Sequence, residues 1–299
     1  TSHFVEERPM TVFRHILWGY ELTYPEGWVH QEIQDADAFA QSAEAFDPYY
    51  AGSDAGHLQV RGEWNWQRQP IEPLWNKHIG MLAGMMGAKE VGSAPWRLGD
   101  AVGLEAEIVL PKKDNMRLWT GILMRDFRVL HFMVTHPKEV REQFEPAATK
   151  IISSLRFPSR ILGIRASREG IPVPPDYSSV DPLTILADIQ DPQNWRAYSG
   201  KSGIGALQAF YVREVPIHNW EMEEYVPFPS DSELGFSRLQ LRRDKTKIML
   251  GLMPYDTSGY EASGTVTSSS PANIVYKIAL IPGPSPFGGR ESPLPSGEG

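Results

Sequence analysis

The sequence predicts an α+β protein of two modules: an antiparallel-sheet α/β/α sandwich, then a smaller helix-plus-antiparallel-sheet unit. Three observations predict it. A chain of 299 residues exceeds the usual single compact domain of roughly 100–150 residues. Three alternating segments, at 103–110, 116–125 and 128–135, follow one another through hairpin-sized connections, the pattern of an antiparallel meander. Apolar residues at helical spacing bracket that meander on both sides.

Taken in order, Tyr20, Leu22 and Tyr24 alternate as in a half-buried strand until Pro25 and Gly27 break the pattern. Phe39, Ala43 and Phe46 sit at helical spacing, but 35–46 is too short to assign. Leu58, Val60, Gly62 and Trp64 alternate again. Ile71, Leu74, Trp75, His78, Ile79, Leu82 and Met86 then follow the i, i+3, i+4, i+7 rule, which predicts an amphipathic helix stopped by Gly87. Residues 92–95 read as a turn leading into the meander. Val140, Phe144, Ala147, Ile151 and Leu155 define a second helix after Pro137.

The expected domains are 1–158, a proline-rich linker and entry segment at 159–191, a small α+β domain at 192–281 and a disordered tail at 282–299. In the small domain Ile204, Leu207, Phe210 and Tyr211 predict a short helix ending before Pro216. Strands are expected at 220–226, 236–242, 246–253 and 274–281, with a polar loop at 263–270.

A strand ending in Tyr24-Pro25-Glu26-Gly27-Trp28, a long amphipathic helix, the meander and a closing helix that finishes in Ser153-Ser154-Leu155-Arg156-Phe157 together resemble the PsbP-like family. The resemblance covers about residues 10–157. It implies an α/β/α sandwich, a fold shared with a yeast Ran-binding protein and with many bacterial proteins of unknown role. It also implies a non-catalytic accessory or binding function, with no catalytic residues to carry over. The second half resembles small bacterial helix-plus-sheet modules, on the aromatic pair Phe210-Tyr211 and on Trp220 at the next strand's start.

Charge and composition narrow the function classes. Net charge is −8, spread over both halves, so neither offers the basic face that nucleic-acid binding needs. The absence of cysteine removes disulfides, thiolate metal sites and a cysteine nucleophile. No apolar run reaches the ~18 residues of a membrane helix, and the first residues lack the pattern of a signal peptide. A soluble, cytoplasmic protein is the expectation.

The motifs that invite a sharper reading mostly fail on chemistry. Gly200-Lys201-Ser202 before a helix resembles a phosphate loop, but Trp195 stands where the leading glycine is required and no apolar strand precedes it. A turn with Ser202 as helix N-cap is the expectation. His131 and His136 lie five apart on one strand and so face opposite ways. His78 belongs on the apolar face of its helix as a core or rim histidine. Glu105 and Glu107 share a strand face, read as a polar outer face. No catalytic residue, metal site or cofactor is expected.

The aromatic supply remains, with five tryptophans between positions 64 and 119. Most of these are expected in the core; Tyr49, Tyr50, Trp64 and Trp66 are the candidates for an exposed binding surface. The expected function is a non-catalytic protein-binding or assembly accessory with an unknown protein partner. The alternatives are a binding protein for a small apolar ligand, or an enzyme without a recognised motif.

Overall fold

A computed structural model of the chain describes residues 9–33, 35–46, 56–111, 113, 115–228, 235–255 and 270–280. In chain order the elements are β1 (Met10–His15), β2 (Tyr20–Pro25), β3 (Val29–Ile33), β4 (Ala36–Ala40), β5 (His57–Trp64), α1 (Ile71–Met86), β6 (Lys89–Leu98), β7 (Ala101–Val109), β8 (Met116–Arg125), β9 (Arg128–Pro137) and α2 (Arg141–Ser153). They continue with β10 (Arg165–Ala166), β11 (Pro172–Val173), β12 (Ser178–Val180), β13 (Trp195–Ser199), α3 (Ile204–Ile217), β14 (Glu221–Val226), β15 (Ser237–Arg243), β16 (Thr246–Pro254) and β17 (Ala272–Leu280).

Two antiparallel sheets dominate, a seven-stranded one of order β3-β4-β5-β9-β8-β7-β6 and a six-stranded one of order β12-β13-β17-β16-β15-β14. The expected meander is β7-β8-β9, and Asp126, with φ of 56°, takes the left-handed position in its tight β8–β9 turn. The first helix ends as its sequence implies: Gly87 has φ of 63° and its N–H donates to the Ala83 carbonyl.

Alternation along β9 sorts the core. Val129, His131 and Met133 face α1, while Leu130, Phe132 and Val134 face the opposite side, where α2 and α3 pack. Helix α3 lies between the sheets, against β5 on one side and β14 and β16 on the other. Ile204, Leu207, Phe210, Tyr211 and Val215 are all fully buried there, as befits a helix apolar on every side. One continuous core therefore runs from Leu17 and Trp18 through α3 to Tyr276, and a smaller one lies under α1.

Several sequence expectations change. Residues 35–46, unassigned from sequence, contain strand β4 and a short 3-10 turn. The expected turn at 92–95 lies inside β6, an edge strand, where Gly92 sits at a register shift and Pro95 is tolerated because one side of the strand has no pairing partner. Helix α3 continues through Pro216 into its last turn. Its N-cap is Gly203, with no side-chain cap, so Ser202 does not cap it. The 159–191 segment is no open linker: Ile171, Val173 and Tyr177 are buried, and β12 is an edge strand of the second sheet. The expected tail at 282–299 and the loop at 263–269 lie outside the described residues.

Among the described residues, the Tyr211 hydroxyl and Glu214 Oε2 on α3 are buried without a hydrogen bond. Burial pushes the Tyr211 hydroxyl well above its ordinary pKa. Removing a desolvated, unpaired hydroxyl relieves a cost. Tyr211→Phe is expected to stabilise the chain by about 1 kcal/mol, read as a higher urea midpoint; a lower midpoint would show that the hydroxyl is satisfied.

Candidate functional site

The face of the first sheet that carries α2 is only partly covered by it. Phe144, Ala148, Ile151 and Ile152 turn the helix onto β9 and β2, leaving β7 and β8 beyond its edge. Trp96 fills part of that space. It starts on edge strand β6 and reaches inward until its indole meets Phe132 edge-on at 5.1 Å and Trp119 at 5.4 Å, the tryptophan planes 82° apart. The seat exists because residue 121 is glycine: a Cβ there would lie 2.8 Å from the Trp96 ring. Gly121→Ala is expected to cost about 1–3 kcal/mol as overpacking and to change the near-ultraviolet circular dichroism of the tryptophans. An unchanged spectrum and midpoint would count against this seating.

Between α2 and these tryptophans lies a cavity of about 240 Å³, open to solvent. Glu105 and Glu107 from β7, Arg117 from β8, His136 from β9 and Glu145 from α2 supply its polar lining. The Trp119 indole N–H donates to Glu105 at 3.2 Å. Arg117 lies 3.4 Å from Glu107, and its Nε is buried without a partner. His136, with a side chain only 3% exposed, sits 2.7 Å from the Pro137 carbonyl through Nδ1 and 3.2 Å from Glu145 through Nε2. Arg141 donates to the other oxygen of Glu145 at 3.0 Å.

Of the aromatic surface expected at Tyr49, Tyr50, Trp64 and Trp66, the described residues include Trp64 and Trp66, and neither is exposed. Tyr49 and Tyr50 lie outside the described residues. Trp64 is 5% exposed, packed on Phe127 and Tyr225 between the two sheets, and Trp66 is half-buried against the same core. The pair does not share a strand face, because β5 ends at Trp64 and Asn65 closes a turn by exchanging hydrogen bonds with the Gln69 backbone. Instead, Trp96, Trp119, Glu105, Arg117, His136 and Glu145 come together. Glu107 is exposed, as a polar outer face implies, while Glu105 is half-buried, and both line the cleft. Their shared strand face and the periodicity of the second helix were legible in sequence; that the helix lies beside them was not.

A second polar cluster has the connectivity of a proton relay. Glu63 lies 2.9 Å from His131 Nε2, His131 Nδ1 lies 3.2 Å from His78 Nδ1, and His78 Nε2 lies 2.7 Å from the Thr120 hydroxyl. Burial holds His78 down to about 3, helped by the charges of His131 and Arg61. His131 is lowered as well, by burial against the pull of Glu63. Burial pushes the Glu63 carboxyl up, but hydrogen bonds from His131 and Lys77 outweigh it and hold the group at about 2. At neutral pH Glu63 is a carboxylate and His78 a neutral imidazole. Thr120, at one end of this chain, is fully buried under α1, whereas Glu63, at the other, is partly exposed. As expected from their spacing, His131 and His136 face opposite sides of the sheet.

Among the described residues, no three histidine or carboxylate side chains are placed to hold a metal ion, and no helix is long and apolar enough to cross a membrane.

No family model matches the chain, and no curated protein does. Solved structures do. PsbP from the cyanobacterium Synechocystis sp. PCC 6803 aligns over 53% of this chain and 98% of its own, at 10% identity and a TM-score of 0.39. A Pseudomonas aeruginosa protein of unknown function aligns over 48% of this chain and 94% of its own, at 14% identity and a TM-score of 0.34. A Bacteroides thetaiotaomicron protein aligns over 81% of this chain and 86% of its own, at 8% identity and a TM-score of 0.35.

Proposed function

We propose that the chain is a non-catalytic binding protein that engages a partner protein at the cleft beside α2. The observation that carries this reading is the cleft's make-up: two tryptophans and a half-buried carboxylate around a cavity of about 240 Å³. Small-molecule pockets usually run from about 300 to 1,000 Å³ and enclose most of their ligand. This one is smaller and open, which favours a side chain anchored from outside over an enclosed apolar molecule.

Thr149→Trp tests the proposal, because Thr149 is exposed on α2 and lines the cleft, so a large side chain there closes the opening without entering the core. Affinity capture with the native chain and with this variant is expected to yield a stoichiometric protein that the variant loses while its melting temperature is kept. Turnover of any substrate that disappears with Thr149→Trp would replace this reading with an enzymatic one.

A further inference from the structure

Resting on that reading, we infer that the cleft takes a basic side chain, arginine or lysine, presented by a segment of the partner protein. Charge points to it first. Three carboxylates face the opening, Glu105, Glu107 and Glu145, with Arg117 as the arginine among the lining residues. Glu145 is already matched by His136 and Arg141. Glu107 has Arg117 at 3.4 Å, longer than the ~2.7–2.9 Å of a well-made charge-assisted bond. Glu105 has no cation within bridging distance among the described residues; the neutral Trp119 indole is its donor. A carboxylate with one neutral donor keeps most of its acceptor capacity unused.

The walls point the same way. A cation is drawn to the face of an aromatic ring by the ring quadrupole, most strongly to tryptophan, and Trp96 and Trp119 stand at nearly a right angle beside Glu105. An apolar guest would strip water from Glu105 and return no hydrogen bond. An acidic guest would meet carboxylates on both sides. Arg117 is the cleft's own counter-charge and is loosely held, its Nε buried without a partner. A guest cation at Glu107 therefore exchanges with it, and Arg117 turns outward to water, where that N–H is hydrated. A cavity of about 240 Å³ admits the end of one long side chain and leaves the remainder of the ligand outside, so a protein segment is the source.

The test is a titration of the nitrogen-15-labelled chain with a blocked pentapeptide of four glycines and a central arginine, and with versions carrying lysine, glutamate or leucine at the centre. The Trp96 and Trp119 indole N–H signals are the readout. The arginine and lysine peptides are expected to shift both signals saturably, less so at high salt. Glu105→Gln is expected to weaken them about tenfold, and Arg117→Met to strengthen them several-fold. Each variant is first checked by its melting temperature, and Thr149→Trp serves as a second block should Glu105→Gln fail to fold.

Tighter binding of the glutamate peptide, abolished by Arg117→Met, would overturn the inference. So would equal binding of the leucine peptide, or free butylguanidine binding as tightly as the arginine peptide. Unmoved indole signals with every peptide would overturn it too. In that case a captured protein still lost with Thr149→Trp would leave the partner-binding reading standing.

Discussion

Alanine in place of Trp64 is expected to destabilise the whole chain by about 3–5 kcal/mol, the usual cost of emptying a large aromatic site in a core. The indole is 5% exposed and touches Phe127 of the first half and Tyr225 of the second. Its N–H donates to the Tyr225 hydroxyl at 2.8 Å, and that hydroxyl donates to Gln208 Oε1 at 2.7 Å. Gln208 is fully buried on α3 and is completed by the Phe228 backbone at both its amide and its carbonyl. Alanine leaves a cavity and takes the indole donor from the Tyr225 hydroxyl, which keeps its bond to Gln208; Trp64→Phe keeps most of the volume and is expected to cost about 1 kcal/mol for the lost hydrogen bond. Because the contact joins the two sheets, urea unfolding of the native chain is expected to be a single transition that moves as a unit in Trp64→Ala. A separate second transition, unmoved by the substitution, would show that the halves unfold independently.

Acid is expected to unfold the protein earlier than its surface charges alone would. The folded chain holds His78 at about 3, whereas the unfolded chain binds that proton near 6.5. Stability is therefore fully present above pH 6.5 and falls as pH drops towards 3, by roughly 1.4 kcal/mol per unit. That is about 3 kcal/mol between pH 6.5 and pH 4 from this side chain alone. His131, also lowered by burial, acts in the same direction. Glu63, held at about 2, adds stability that is present above its unfolded value and lost as pH falls from there through 2. Urea midpoints of the native chain and of His78→Gln at pH 7, 5.5 and 4 measure this. The variant starts lower, because it loses hydrogen bonds to Thr120 and His131, but its curve should be flatter by the His78 share. Parallel curves would mean that His78 is not held neutral in the fold.

Much of the first half was legible in the sequence because its elements declare themselves locally. The 3.6-residue period of Leu74, Trp75, His78 and Leu82, with a left-handed glycine at 87, needs no neighbour to be read. The β7-β8-β9 meander needs only alternation and short turns. Edge strand β6 escaped the same reading because an unpaired edge tolerates the glycine and proline that mark turns elsewhere.

What the sequence by itself determined is the α+β class, the strands of the meander, the helices and the opposite facing of His131 and His136, all set by backbone periodicity within a single element. What only the tertiary structure decided is which tryptophans are spent in the core and which line a cleft. In sequence Trp64 sits on an alternating strand and Trp96 just after a turn signal, and neither pattern says which is buried. One is covered by α3 and Tyr225 and the other stands at the uncovered margin of α2, because burial depends on what a distant segment lays over a face, and no local pattern carries that.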